Sequence, residues 1–185
     1  MRSPEYQRTV RWGDLEQQVP RLAARARALV VDPGVCLVAT IRRDGTPRLS
    51  PVEPFLLDGD LWLSMLWQSR KAADLLADDR VLVHSIVTTR EGQPGEVKLR
   101  GRAVPVDDQA RRDRYRAAVA VLGWQPVEPW FHLFVVDLTD VTSISYAGAG
   151  DQHVARWPAG VEFLRRATSP TSVGHPEPVA DLLLP

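Results

Sequence analysis

The sequence has almost no cysteine: Cys36 is the single one among 185 residues. A disulfide framework within the chain is thereby excluded, and so is a zinc site built on four cysteines. Cys36 lies in the apolar run Val35-Cys36-Leu37-Val38-Ala39, where a buried, inert thiol is expected. Long hydrophobic runs are missing too. No stretch approaches the ~20 apolar residues that a spanning helix needs, and residues 1–12 carry charges without the apolar core of a signal peptide. A cytoplasmic location is the expectation. There is no excess of one charge either, since 23 basic and 23 acidic side chains give a formal net charge of zero. Nothing in that balance draws in nucleic acid or an anionic membrane. The four histidines, His84, His132, His153 and His175, are scattered and lack metal-ligand spacing. A Gly-x-Ser-x-Gly elbow, a P-loop and a Gly-x-Gly-x-x-Gly turn are all absent.

What is present is an ordinary globular composition, 44% hydrophobic and 25% charged, in a length suited to one domain with short extensions. Apolar residues recur at helical spacing over 14–30, and Pro20, tolerable only near a helix start, puts the beginning of the main helix near Gln18. From Val35 the period changes to that of strands. Arg43-Asp44-Gly45-Thr46 and Asp58-Gly59-Asp60 are tight-turn signals, because Asp-Gly accepts positive φ. They predict a three-stranded antiparallel meander over 35–41, 48–57 and 61–66. A short helix is predicted from Arg70 with Ser69 as its cap. Further strands are predicted over 81–87, 96–106 and 131–145. A helix capped by Asp107-Asp108 should carry Arg111, Arg112, Arg114 and Arg116 on a solvated face. A hairpin and a Pro-rich tail follow Gly150. Six or seven short strands with two or three helices predict a mainly β (α+β) fold: a closed or nearly closed antiparallel barrel with flanking helices. The expected organisation is an arm and helix over 1–34, the barrel over 35–150, and a hairpin with tail over 151–185.

The sharpest candidate for chemistry is Gln68-Ser69-Arg70-Lys71, after an apolar strand and before a helix. The free N–H groups and dipole of a helix start attract anions. Two cations in the first turn oppose that dipole unless an anion is bound, and then serine, arginine and lysine converge on it. An ordinary capped surface helix is the competing explanation. Arg48-Leu49-Ser50-Pro51 is the second candidate. Arg48 and Ser50 share one strand face, and Pro51 and Pro54 withhold two N–H donors, leaving the strand partly unpaired.

In this order of parts the stretch from Val35 to Gly101 resembles the pyridoxamine 5'-phosphate oxidase-like, FMN-binding split-barrel proteins. The carrying pieces are Arg-Asp-Gly-Thr-Pro, Arg48-Leu49-Ser50-Pro51-Val52, the Asp58-Gly59-Asp60 turn, Ser69-Arg70-Lys71-Ala72-Ala73-Asp74-Leu75 and Gly95-Glu96-Val97-Lys98-Leu99-Arg100-Gly101. The resemblance implies a split β-barrel. It implies phosphate ligands at Ser69, Arg70, Lys71 and Arg48, and isoalloxazine contacts at Leu49, Ser50, Pro51, Val52, Ser64 and Met65. It implies a contact from Glu96 across a homodimer interface. The oxidases carry glutamine at that last position, and an ionised carboxylate cannot donate a hydrogen bond. An Arg-x-His substrate motif is also lacking, so vitamin-B6 oxidase activity is not expected. The implied function is FMN-dependent hydride transfer to or from a small molecule, with a substrate stacking near Trp62 or Trp67. Two alternatives remain: a deazaflavin coenzyme, whose longer anionic tail Lys98, Arg100, Arg8 or Arg11 would serve, and non-catalytic flavin or haem binding.

Overall fold

The computed structural model describes residues 9–148 and 150–185. Residues 1–8 of the predicted arm, Arg8 among them, lie outside the described residues. Strand β1 (Cys36–Ile41) pairs with β2 (Pro47–Val52), and β3 (Pro54–Leu57) pairs with β4 (Asp60–Leu66). The second hairpin turns on Asp58 and Gly59 at φ 53 and 74°, the doubly positive turn that matches strand twist. Strands β5 (Arg80–His84), β6 (Glu96–Pro105) and β7 (Phe131–Ala147) complete a sheet in the order β2-β1-β5-β6-β7-β4-β3.

The two edge strands of this order, β2 and β3, are consecutive in the chain, with Glu53 alone between them. A flat seven-stranded sheet would hold its edges roughly 29 Å apart. Two residues of chain reach about 7 Å. The sheet is therefore rolled into a barrel, split where β2 and β3 fail to pair. This corrects the predicted meander: β4 pairs with β3 and β7, never with β2. Pro51 and Pro54, which have no N–H to donate, sit at the split and interrupt the single strand expected over 48–57.

Alternation sends Cys36 and Val38, Leu61, Leu63 and Met65, Val81 and Val83, and Val97, Leu99 and Ala103 into the barrel. Helices α1 (Trp12–Gln18) and α2 (Pro20–Ala26), the latter running into a π-helical turn at Arg27–Val31, pack on this core through Trp12, Leu15, Leu22, Ala26 and Val30. The helical period over 14–30 is interrupted at Val19, because Pro20 cannot donate to the preceding turn, and the main helix begins at Pro20, two residues past the expected start near Gln18, with α1 before it. Burial raises the Cys36 thiol to about 12, the inert state expected.

Helix α3 (Arg70–Ala77) follows β4, and α4 (Gln109–Ala120) follows β6. The Asp108 carboxylate caps α4 by accepting from the Arg111 N–H at 2.8 Å. The buried face of α4, Tyr115 and Val119, covers Trp62, Phe131, Leu133 and Val135 in a second core. Its arginines are not a merely solvated face. Arg112 makes two bonds to Glu128 and donates to the Val106 and Phe131 carbonyls. Arg111 binds Asp60 at 2.9 Å with its guanidinium over the Trp62 ring. Strands β8 (Asp151–Trp157) and β9 (Val161–Arg165) extend the sheet from β7, and β10 (Ala167–Ser169) with β11 (Ser172–Val173) forms a separate pair. The eleven strands among the described residues exceed the number expected, through the break at Glu53 and the divided C-terminal segment. The strand expected over 81–87 ends at His84. No helix among the described residues is long and apolar enough to cross a membrane.

Candidate functional site

The start of α3 lies beside β2. The Ser69 hydroxyl caps the helix by accepting from the Ala72 N–H, and the first turn holds no acidic residue. The Lys71 Nζ donates to the Pro51 carbonyl at 3.0 Å, and the Arg48 Nε donates to Asp74 Oδ2 at 2.6 Å. Asp74 is buried on the second turn of α3 and also accepts from the Thr40 hydroxyl at 2.8 Å. The carboxylate thus fixes the stem of the Arg48 fork against the helix. Among the described residues, neither Arg48 Nη atom nor the Arg70 guanidinium has a hydrogen-bond partner. The Arg70 and Lys71 backbone N–H groups are the first two of the helix, which no intrahelical carbonyl can reach. The Arg48 fork, the Lys71 ammonium, the Ser69 hydroxyl and two backbone donors therefore meet at one helix start, with Arg70 in its first turn, a donor set that suits a phosphate.

Arg48, Ser69, Arg70 and Lys71 are thus brought together, with Ser50 and Pro51 alongside. On β2, Arg48, Ser50 and Val52 oppose the inward Thr40, Val38 and Cys36, while Leu49 and Pro51 face outward. Val52 is sealed in the core and Leu49 is 62% exposed. The remaining predicted ring contacts divide. Met65 lies in the barrel core, whereas its neighbour Ser64 points the opposite way, under α4. Glu96 is not on a strand that neighbours β2, because β1 and β5 intervene. Its carboxylate is taken up by His84 at 3.2 Å and by Lys98.

Of the two tryptophans expected at an open face, Trp62 is buried and donates to the Leu57 carbonyl at 2.9 Å, so it offers no free face. Trp67 is 41% exposed and stacks on His132 at 4.8 Å between centroids, with Trp130 edge-on. Burial, and then the charge of Arg112, lower the His132 pKa, so the imidazole in this stack is neutral near pH 7. The chain reaches α3 from Trp67 through Gln68 at φ 57°, a left-handed conformation uncommon without glycine.

Asp74 escaped the sequence reading as a functional residue. Its signal was a carboxylate beside the buried Ala72 and Leu75 of the apolar helix face. Asp74→Ala is expected to cost about 2 kcal/mol of stability, because Arg48 and Thr40 lose their common acceptor. The denaturant midpoint reads this; an unchanged midpoint would show that the brace is idle.

The sequence matches the model of the family described as pyridoxamine 5'-phosphate oxidase over residues 22–145. No curated protein matches it. Among solved structures, one similar chain is a NimC/NimA family protein from Clostridium acetobutylicum, 18% identical with a TM-score of 0.60, covering 77% of this chain and 97% of that one. A haem-binding protein from Mycobacterium smegmatis is 21% identical with a TM-score of 0.54, covering 75% of this chain and 56% of that one. PhzG from Burkholderia lata 383, in complex with tetrahydrophenazine-1-carboxylic acid, is 16% identical with a TM-score of 0.54, covering 84% and 91%. At such identities the likeness is one of fold, and it agrees with the split barrel.

Proposed function

The chain belongs to the pyridoxamine 5'-phosphate oxidase family, and from that premise we propose that it is a flavin-dependent oxidoreductase holding FMN by its phosphate at the start of α3. The observation that carries this reading is the set of unpaired donors there: both Arg48 Nη atoms and the Arg70 guanidinium, beside Ser69, Lys71 and free helix N–H groups. Such a cluster is self-repelling without an anion and complementary to a dianionic phosphate with one. The bound flavin supplies hydride transfer, which needs no acid or base from the protein for the transfer itself.

The protein's part is orientation. Asp74 aims Arg48, Ser69 and Arg70 bind the phosphate, and Lys71 ties the helix to the β2 edge through the Pro51 carbonyl. The free side of β2, with Leu49, Ser50 and Pro51, offers unpaired backbone to the hydrogen-bonding rim of the ring. Val52 and Met65 contribute from below as core residues and through their backbone. Leu49, Leu66, Trp67, Leu76 and Trp130 are exposed apolar side chains, and they support a homodimer that covers the site. Glu96 would then reach the ring only from the second copy.

A second reading, a deazaflavin coenzyme, is favoured by a surface cavity of about 430 Å³ lined by Lys98, Arg100, Thr139, Asp140, Thr142 and Arg156. Arg100 and Arg156 share Asp140 at 2.7 and 2.8 Å, and Lys98 binds Glu96, so three cations against two carboxylates leave one net positive charge for a longer anionic tail. Arg11 does not add to it, being held by Asp60 at 2.6 Å and by the Asp58 carbonyl.

The visible spectrum of the purified protein, followed by titration with FMN, deazaflavin coenzyme and haem in turn, separates these readings. FMN is expected to bind with a perturbed flavin spectrum and to be reduced by NADH or NADPH. Failure to bind FMN would end the flavin reading, and haem binding without FMN binding would replace it.

A further inference from the structure

A cavity of about 510 Å³ opens between α4 and the β3–β4 hairpin, and none of the phosphate donors lines it. That volume lies within the range that small-molecule sites occupy. Phe55, Tyr115 and Trp124 form the aromatic part of its wall, with Val31, Val119 and Leu122 beside them and Trp62 packed behind Tyr115. Tyr115 stacks on Trp62 at 5.4 Å and 26°, with Phe55 edge-on at 5.9 Å and Trp124 at 6.0 Å. Inside this wall stands one polar anomaly. Ser64 Oγ is buried and, among the described residues, is the only buried side-chain nitrogen or oxygen without a hydrogen-bond partner.

An orphaned hydroxyl costs stability unless something satisfies it. Three polar groups meet at this cavity: the Ser64 hydroxyl, the Tyr115 hydroxyl and the Glu53 carboxylate. Burial lifts the Tyr115 phenol far above its ordinary value; the Ser64 hydroxyl, which faces it without a bond of hydrogen-bonding geometry, opposes the shift and the charge of Glu53 reinforces it. Tyr115 is therefore a neutral donor throughout the physiological range. Glu53 lies on the crossing between β2 and β3 and is exposed, so it places negative charge at the mouth.

We infer that this cavity is a binding site for a planar, uncharged aromatic molecule carrying a hydroxyl or carbonyl. The apolar wall takes the ring, and Ser64 with Tyr115 takes the heteroatom. A carboxylate-bearing ligand is disfavoured by Glu53. The inference rests on the oxidoreductase reading only in calling this molecule a substrate, since the cavity uses none of the phosphate donors.

The test is a titration of the full chain with 2-naphthol, naphthalene and 2-naphthoate, read by tryptophan quenching with Trp124 in the wall, with and without FMN. 2-Naphthol is expected to bind best and 2-naphthoate worst. Ser64→Ala together with Tyr115→Phe should weaken 2-naphthol about tenfold and leave naphthalene unchanged. Ser64→Ala alone should raise Tm by a few degrees in the ligand-free protein, because it deletes an unsatisfied buried group. A hydroxyl serving only structure would give the opposite sign. Equal 2-naphthol affinity in the native and double-variant proteins, or a fall in Tm for Ser64→Ala, overturns the inference. Naphthol binding without FMN binding would keep the cavity and remove the oxidoreductase reading.

Discussion

Replacing Arg70 and Lys71 together by alanine is expected to weaken FMN binding by at least about 100-fold, close to 3 kcal/mol, if each contributes one charge-assisted hydrogen bond. Arg70 has no hydrogen-bond partner among the described residues, and Lys71 holds only the Pro51 carbonyl. Neither side chain is part of the hydrophobic core. Removing them loses the exposed Lys71–Pro51 bond but relieves repulsion at the positive end of the α3 dipole, so the apo protein should melt close to the native one. Loss of FMN affinity with retained Tm is the specific signature, and fluorescence titration with calorimetric melting reads both. Retained affinity would mean that the cations serve only the surface of the helix. The salt dependence should fall in parallel, since two fewer charges meet the phosphate.

Gly101→Ala is the second large effect, at least about 3 kcal/mol of destabilisation. Gly101 is in β6 opposite β7, where the register shifts between Arg100 and Gly101. A Cβ there would lie 2.2 Å from the Asp137 carbonyl oxygen and 3.0 Å from a Val136 methyl. The obstacle is backbone, which cannot swing aside as a side chain can. Relief requires β7 to move away from β6, and these two strands form a ten-residue ladder in the middle of the sheet. The contrast is Gly45→Ala, where φ is +81° and nothing lies within 4 Å of the added atom. That change meets only backbone strain, of order 1 kcal/mol. Denaturant midpoints of the two variants should therefore differ widely, and equal midpoints would contradict the close approach. If the Gly101 variant accumulates only as insoluble protein while the Gly45 variant is soluble, the same ordering is shown.

Local signals were readable in the sequence where they needed no distant partner. The α3 helix starts at Arg70 with Ser69 as its cap because serine before a helical period is a self-contained signal. Residues 96–105 alternate cleanly, and Val97, Leu99 and Ala103 do face inward. Pairings were harder. The Asp58-Gly59 turn specifies that β3 and β4 meet, but nothing near Glu53 says that β2 and β3 end on opposite edges of the sheet. That follows from closing a barrel, a constraint spread over the whole chain. The α4 arginines misled for the same reason: Glu128 and Asp60, which hold Arg112 and Arg111, are distant in sequence.

The candidate site divides along the same line. Ser69, Arg70 and Lys71 are contiguous, and Arg48 and Pro51 arrive with the neighbouring strand. Asp74 was visible only as a residue inside the motif, because its role depends on Thr40 and Arg48 reaching the same carboxylate oxygen. Ser64 and Met65 had to face opposite ways once they were placed in a strand. Which of them met the core depended on α4, whose Tyr115 and Val119 roof the Ser64 side.

The central claim is that the donors at the start of α3 hold a flavin by its phosphate. The most direct measurement is the ratio of the riboflavin and FMN dissociation constants on the native full-length protein, because the two ligands share every ring atom and differ in the phosphate. Riboflavin is expected to bind at least about 100-fold more weakly than FMN. Equal affinities for the two would contradict the account.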